Sequence, residues 1–187
     1  MVSIDEKSQI QTLDRIRPDQ PFDRGRPVAR IHDYKRHGTT TLLAALDIAT
    51  GNLSADSCYQ RHTNNKFVDF LGQVATAHPV VELHVVCDNC ATHKHPNVKA
   101  WPAENPRVTM HFTPTSCSWL NMVEIFFGMI AKQAIRRGAF HSVDDLDATI
   151  RDYIDSYNTR ATLFTWTKTA EHLIGKIRRE QTINTPN

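Results

Sequence analysis

The chain has 187 residues, 40% of them hydrophobic, enough to bury an ordinary core, and its four irregularly spaced cysteines (Cys58, Cys87, Cys90, Cys117) read as reduced thiols rather than a secreted disulfide framework. No leader pattern opens it and no stretch approaches the ~20 apolar residues that cross a bilayer, so no membrane role is expected and a cytoplasmic setting is. A net charge of +2 means that nucleic-acid binding must rest on where the basic residues fall and not on their total.

Met1-Val2-Ser3-Ile4 is a short apolar opening that reads as a first strand, followed by Asp5. Residues 14–37 carry many charges and prolines with little periodicity, an irregular, partly stranded excursion suited to a DNA-facing loop. Thr39 to Ile48 and Leu53 to Gln60 flank the turn signal Thr50-Gly51-Asn52 and predict a hairpin. Asn64 or Asn65 caps a helix with Phe67, Phe70, Leu71 and Val74 on one face, ending near His78-Pro79. Val80 to Cys87 is almost continuously apolar and predicts a strand buried on both faces.

A short helix around Asn97 to Ala103, broken by Pro102 and Pro106, precedes a strand from Arg107 to Phe112. Pro114 with Ser116 or Ser118 opens the next helix, whose stripe of Trp119, Met122, Val123, Phe126, Ile130 and Ala134 is bordered by Glu124. Ser142 or Asp144 opens another, with Leu146, Ile150, Tyr153, Ile154 and Tyr157 on one side, and Lys168 to Arg179 supplies a last one. Residues 1–180 thus form one α/β domain, a mixed five-stranded sheet flanked by helices, and residues 181–187 a flexible tail.

Asp88 closes the central apolar run, and Glu124 follows after 35 intervening residues. Neighbouring strands lie about 4.8 Å apart, so Asp5 and Asp88 at adjacent strand ends can share a metal while Glu124 closes the site from a helix. Three carboxylates placed this way suit a pair of hard divalent cations and the cutting of phosphodiesters. Alternation along a strand lets only one of Asp5 and Glu6 join Asp88. Asp47, beside Thr50-Gly51, reads as a hairpin acid.

Cys87-Asp88-Asn89-Cys90 with His93 and His95 holds the ligand vocabulary of zinc, and a zinc-stabilised binding module is one reading. The long gap before a second ligand pair is missing, however, and Cys87 sits in a strand where it can simply pack. Lys35, Arg36 and His37, beside a loop, are the better DNA candidates. Lys132, Arg136 and Arg137 suit phosphate contacts or a helix C-terminus equally well. Trp119 and Trp166 read as packing residues rather than base-stacking platforms.

The layout of sheet and flanking helices is ribonuclease-H-like, and particular motifs sharpen it. Asp5-Glu6-Lys7-Ser8-Gln9, His32 to Gly38, Asp88-Asn89 with Ala91-Thr92-His93-Lys94, His111 to Ser116, Ser118-Trp119-Leu120-Asn121 with Val123-Glu124, and Trp166 to Ala170 resemble the DDE superfamily catalytic domain of bacterial insertion-sequence transposases of the mariner-like superfamily. The resemblance implies a metal-binding triad of Asp5, Asp88 and Glu124 holding two Mg²⁺ ions, with Mn²⁺ able to substitute. It implies site support or DNA contact by Asn89, His93 and Asn121. It also implies cutting at transposon ends, transfer of 3′ ends into a short TA-type target in double-stranded DNA, homo-oligomers assembled on that DNA, and a place at the bacterial nucleoid. Two features depart from the pattern: the helix-turn-helix region usual before such a domain does not precede Asp5, and Cys90 and Cys117 stand where an aromatic and a small residue are expected. A truncated remnant that binds DNA or a full-length partner without transposing is the alternative, and a structure-selective nuclease of the same fold an intermediate one.

Overall fold

The computed structural model describes residues 1–15, 34–61, 63–114, 117, 120–136, 138–163, 171, 174 and 175. Expectations placed on His32, Asp33, Ser116, Ser118, Trp119, Arg137, Trp166 to Ala170, the Lys168 to Arg179 helix and the 181–187 tail lie outside the described residues.

The strands are β1 (Val2–Arg15), β2 (Tyr34–Asp47), β3 (Leu53–Tyr59), β4 (Leu83–Cys87) and β5 (Val108–Phe112). They form a five-stranded sheet in the order β3-β2-β1-β4-β5, antiparallel from β3 to β1 and parallel from β1 to β5. Helices α1 (Asn64–Ala77) and α2 (Pro96–Glu104) connect the parallel strands, and α3 (Val123–Ile130) and α4 (Val143–Asn158) follow.

Period-2 alternation builds two cores on one sheet. Leu42, Ala44 and Leu46 of β2 pack with Val123, Phe126, Phe127, Ile130, Leu146 and Ile150 of α3 and α4. Leu43 and Ala45 point the other way and join Val2, Ile4 and Val85 against Phe67, Phe70, Leu71 and Val74 of α1. The stretch from Leu42 to Leu46 is wholly buried because helices cover both faces there.

Several boundaries differ from expectation. β1 is no short opening: it runs 14 residues, paired with β2 up to Arg15↔Tyr34, so the described residues of the supposed excursion, 14, 15 and 34–37, lie in strands. Its irregularity is confined to register shifts, the first of which, between Lys7 and Ile10, contains Gln9 at φ 51. Val80 and Val81 are 90% and 53% exposed, and β4 starts only at Leu83. Its burial alternates instead of being two-sided, since α3 and α4 pack on β1, β2 and β3 and leave His84 of β4 and His111 of β5, on that same face, beside each other and only partly covered.

Thr63, not an asparagine, caps α1 by accepting from the Lys66 amide at 3.4 Å. Pro102 lies inside α2 rather than ending it. Ser142 does cap α4, accepting from the Asp145 amide at 3.1 Å. The β2–β3 turn falls where the sequence places it: Gly51 has φ +79, and a Cβ there would stand 2.1 Å from the Thr162 carbonyl oxygen. Asp47 Oδ1 accepts from the Ala49 amide at 2.9 Å, so this acid braces the turn. All four cysteines are free thiols.

The last turn of α1 carries no basic residue, and Arg107 supplies one from the start of β5. Its guanidinium donates to the carbonyls of Ala75, His78 and Val81, which satisfies orphan acceptors and complements the helix dipole. Arg107→Ala should therefore lower the free energy of unfolding by about 1–3 kcal/mol, read as a fall in urea midpoint; an unchanged midpoint would show that water replaces the guanidinium at no cost.

Candidate active site

The parallel pairing of β1 with β4 runs Val2↔Val85 and Ser3↔Val86. Continued by two residues, that register sets Asp5 beside Asp88, where β4 ends and β1 goes on alone with β2. Asp5 is not at a strand end, as the sequence suggested, but inside β1 opposite Ala44. Its position is next to the opening that the end of β4 creates.

Strand parity points Ser3 and Asp5 toward α3. Asp5 is 5% exposed, and Ser3 and Asn121 are wholly buried. Asn121 Nδ2 donates to Asp5 Oδ2 at 2.9 Å and to the Ile4 carbonyl at 2.8 Å. Ser3 Oγ donates to Asn121 Oδ1 and accepts from the Val123 amide at 3.1 Å. The second oxygen of Asp5 accepts from the Glu6 amide at 2.8 Å. No side chain of its own segment caps α3, so a strand serine 120 residues away takes that role. The helix bearing Glu124 is thereby tied to the strand bearing Asp5.

The opposite parity points Glu6 toward α1, where His93 waits. His93 is wholly buried, its ring stacked on Phe67 at 4.1 Å between centroids. Nδ1 lies 2.6 Å from Asp88 Oδ1 and 3.2 Å from the Asp88 carbonyl, and Nε2 lies 3.1 Å from Glu6 Oε2. Burial works against a charged ring, but hydrogen bonds with Asp88, Cys87, Cys90 and Glu6 outweigh it and raise the pKa far above the ordinary imidazole value. A carboxylate at each ring nitrogen thus favours the charged form of His93. Its hydrogen bond is the main reason the Asp88 carboxyl titrates below the usual range, against the opposing effect of burial. Glu6 and Asp5 thus face opposite sides of β1, as alternation requires, and Glu6 meets Asp88 only through His93, which the sequence argument left out.

Glu124 is exposed on the first turn of α3. Its pKa is raised by partial burial and by Asp88 and Glu6, and Lys7 pulls it back. Asp5 is pushed up to about 7 by burial, with Asp88, Glu124 and Glu6 adding repulsion and the Glu6 amide opposing. The three acids share one field, with Asp5 at its centre. A cluster of oxygen donors whose negative charge is penalised in this way fits hard divalent cations, which relieve both the desolvation and the repulsion. Among the described residues the trio whose ligand atoms all lie within 4.8 Å of one another is Glu6, Cys90 and His93, not these acids.

Other candidates are placed as follows. Asn89 is half-buried next to Asp88. Lys35 and Arg36 are exposed, but on β2 rather than a loop, and Lys35 is nine residues along the strand from Ala44, roughly 30 Å from Asp5 at ~3.3 Å per residue. Lys132 and Arg136 are exposed on and after a π-helical turn, Ala131–Ile135, that continues α3. His95 is no partner of Cys90; it caps α2 and contacts Asn64 Nδ2 at 3.0 Å. Sequence reasoning missed Ser3 and Lys7. The only signal was the same parity that places Asp5, because a polar residue two positions from a buried acid shares its face.

Fold and acids together define a ribonuclease-H-like chain carrying a carboxylate site at the edge where its parallel and antiparallel halves meet. Residues 1–147 match the family described as DDE superfamily endonuclease, and the chain belongs to that family. The Mos1 transposase paired-end complex with left transposon end has a TM-score of 0.64 at 16% identity over 83% of this chain and 47% of that one. A Mos1 mariner paired-end complex with Mn gives 0.63 at 16% over 86% and 48%. The catalytic domain of Mos1 mariner transposase gives 0.58 at 11% over 83% and 70%. The chain spans about half the length of the first two. A comparison with curated protein sequences gives no match. Among the described residues no helix is long and apolar enough to cross a membrane.

Asp5 gives the site a pH signature. Its folded pKa of about 7 exceeds the ordinary carboxyl value of 3.8, so the stability its neutral form contributes is present below about pH 4 and lost as pH rises through about 7, on the order of 4 kcal/mol in all. In chelator, Asp5→Asn should unfold at higher urea than the parent at pH 8, with the difference closing toward pH 4. Parallel urea curves at both pH values would contradict the buried-acid assignment.

Proposed function

We propose that the chain is the catalytic part, within residues 1–180, of a transposase that cuts DNA at transposon ends and transfers the 3′ ends to target DNA. The observation that carries this reading is the buried Asp5, fixed by Asn121 and flanked by Asp88 and Glu124 in one electrostatic field, in a chain of the DDE endonuclease family. Asp5, Asp88 and Glu124 would hold two Mg²⁺ ions, with Mn²⁺ able to substitute. Bound there, the cations supply a lowered pKa for an attacking water or 3′-hydroxyl and neutralise charge on the scissile phosphate and leaving oxygen.

The chain's own residues do the positioning. Asn121 and the Glu6 amide each occupy one lone pair of Asp5, which leaves its remaining pairs aimed away from the strand. His93 keeps Asp88 ionised and fixes its rotamer, as a ring locked by Phe67 can. Ser3 holds the first turn of α3, so Glu124 approaches from a helix that cannot drift from β1. Lys7 adds positive charge next to Glu124, where a phosphate arrives. Asn89 supports the turn after Asp88, while Lys35 and Arg36 meet DNA outside the cleavage point. Oligomers on DNA and a bacterial nucleoid setting complete the reading, supported by the transposon-end complexes among the similar structures.

In a plasmid-nicking assay with Mg²⁺ or Mn²⁺ the chain should nick DNA, and Asp88→Asn or Glu124→Gln should lower the rate by at least about a hundredfold, with the circular dichroism of the parent retained. Nicking that survives both substitutions would sink the assignment.

A further inference from the structure

The tightest cluster of ligand atoms among the described residues is not the acid site but its neighbour. Glu6, Cys90 and His93 bring a carboxylate oxygen, a thiol sulfur and an imidazole nitrogen within 4.8 Å of one another, on the α1 side of the sheet. Glu6 Oε2 and His93 Nε2 are already 3.1 Å apart. Ligands of a tetrahedral zinc ion stand about 3.3–3.7 Å apart, given bonds of about 2.0–2.3 Å, so only a small closure is needed. The ring is ready for a metal in two further ways: Phe67 fixes its plane, and Asp88 Oδ1 sits 2.6 Å from Nδ1, the carboxylate behind a histidine that metal sites use to set tautomer and basicity. Glu6 and Cys90 are each partly exposed, which gives an ion a way in from solvent.

We propose that Glu6, Cys90 and His93 form a second metal site, for a thiolate-seeking divalent cation of the zinc class, with water as the fourth ligand. The ligand set separates it from the neighbouring acids: one sulfur and one nitrogen select zinc, cobalt or cadmium, whereas three carboxylates select magnesium or manganese. On coordination the Cys90 thiol and His93 Nε2 each release a proton to bulk water, and no electron changes hands. Asp88 is common to both sites, as outer partner of the one and proposed ligand of the other. An ion at Glu6, Cys90 and His93 withdraws the Cys90 thiol from Asp88, one of the contacts that stabilise that carboxylate, and adds a second positive charge behind it. Zinc is thus an inhibitor of the proposed DNA chemistry, a consequence that rests on that functional reading while the site itself does not.

The test uses the full chain and two readouts. Titration with Co²⁺ should give a thiolate charge-transfer band saturating at one equivalent in the parent and in Glu124→Gln, and no band in Cys90→Ser. Zinc, competed against a chromophoric chelator, should bind the parent and Glu124→Gln alike, and at least about tenfold more weakly in Cys90→Ser and Glu6→Gln. Absence of the band in the parent, or zinc affinity in Cys90→Ser within about twofold of the parent, overturns the site. Nicking is then measured in Mn²⁺ with and without one equivalent of zinc, each variant compared with itself so that basal activity cancels. Zinc should suppress the parent and spare Cys90→Ser; equal suppression of both overturns the inhibitory role. A parent that binds cobalt through its thiolate yet nicks with no cation leaves the metal site standing and ends the transposase reading instead.

Discussion

The structure around the site depends on one buried polar knot, in which Ser3, Asn121 and Asp5 satisfy one another and close the first turn of α3. Burying an amide, a hydroxyl and a carboxylate is tolerable only when every partner is present, since each group left unpaired costs about 1–3 kcal/mol. That all-or-none character makes the knot a register pin. If β1 slid by one residue, Asn121 would meet the wrong parity, and the side chains of Val2 and Ile4 would exchange faces with those of Ser3 and Asp5. The apolar cores fix where the sheet and helices lie; the knot fixes which carboxylate they present.

The same burial makes the metal-free site uncomfortable. Asp5 and Glu124 are both held less acidic than usual by desolvation and by the charges of Asp88 and Glu6, while Asp88, given a histidine, is held more acidic. The three acids are thus set apart by their surroundings, Asp88 shifted toward its ionised form and Asp5 and Glu124 toward their neutral ones. This is an expense in stability that a folded chain accepts where a cation or a phosphate-bound cation is to arrive.

Much of this was legible in the residues. The order of elements along the chain, the hairpin at Thr50-Gly51-Asn52 and the faces of α1 and α4 follow from period and turn chemistry, because burial and alternation are local properties that a linear pattern records. Boundaries went wrong where a distant element decides them. Val80 and Val81 read as strand by propensity, yet Leu83 is the first residue of β4 to be paired, and its amide bonds the Arg107 carbonyl at 2.8 Å. The start of α3 could not be assigned to Ser3, since a cap delivered across 120 residues leaves no mark near the helix. Asp5, Asp88 and Glu124 are read from motif, and the strand-parity argument does separate Glu6 from Asp5, but it considers only neighbours in the sheet and so leaves out His93, which stands between Glu6 and Asp88.

That last omission shows why Asp88 is the pivotal position. β4 ends at Cys87, so the residue that follows is free of pleat parity and its carboxylate stands at the seam between the two faces. One face offers Asp5 and Glu124, oxygen only; the other offers His93, Cys90 and Glu6, a mixed set that grips the seam from behind. The carboxylate at this seam is tied to one face by its 2.6 Å ion pair with His93 and acts on the other through the charge it sets beside Asp5 and Glu124. Replacing Cys90 by the aromatic residue that the resemblance leads one to expect would remove the sulfur and leave the seam answering to one face alone. The thiol at this position therefore distinguishes this chain's site from the general pattern, and the coupling follows from where a strand happens to stop.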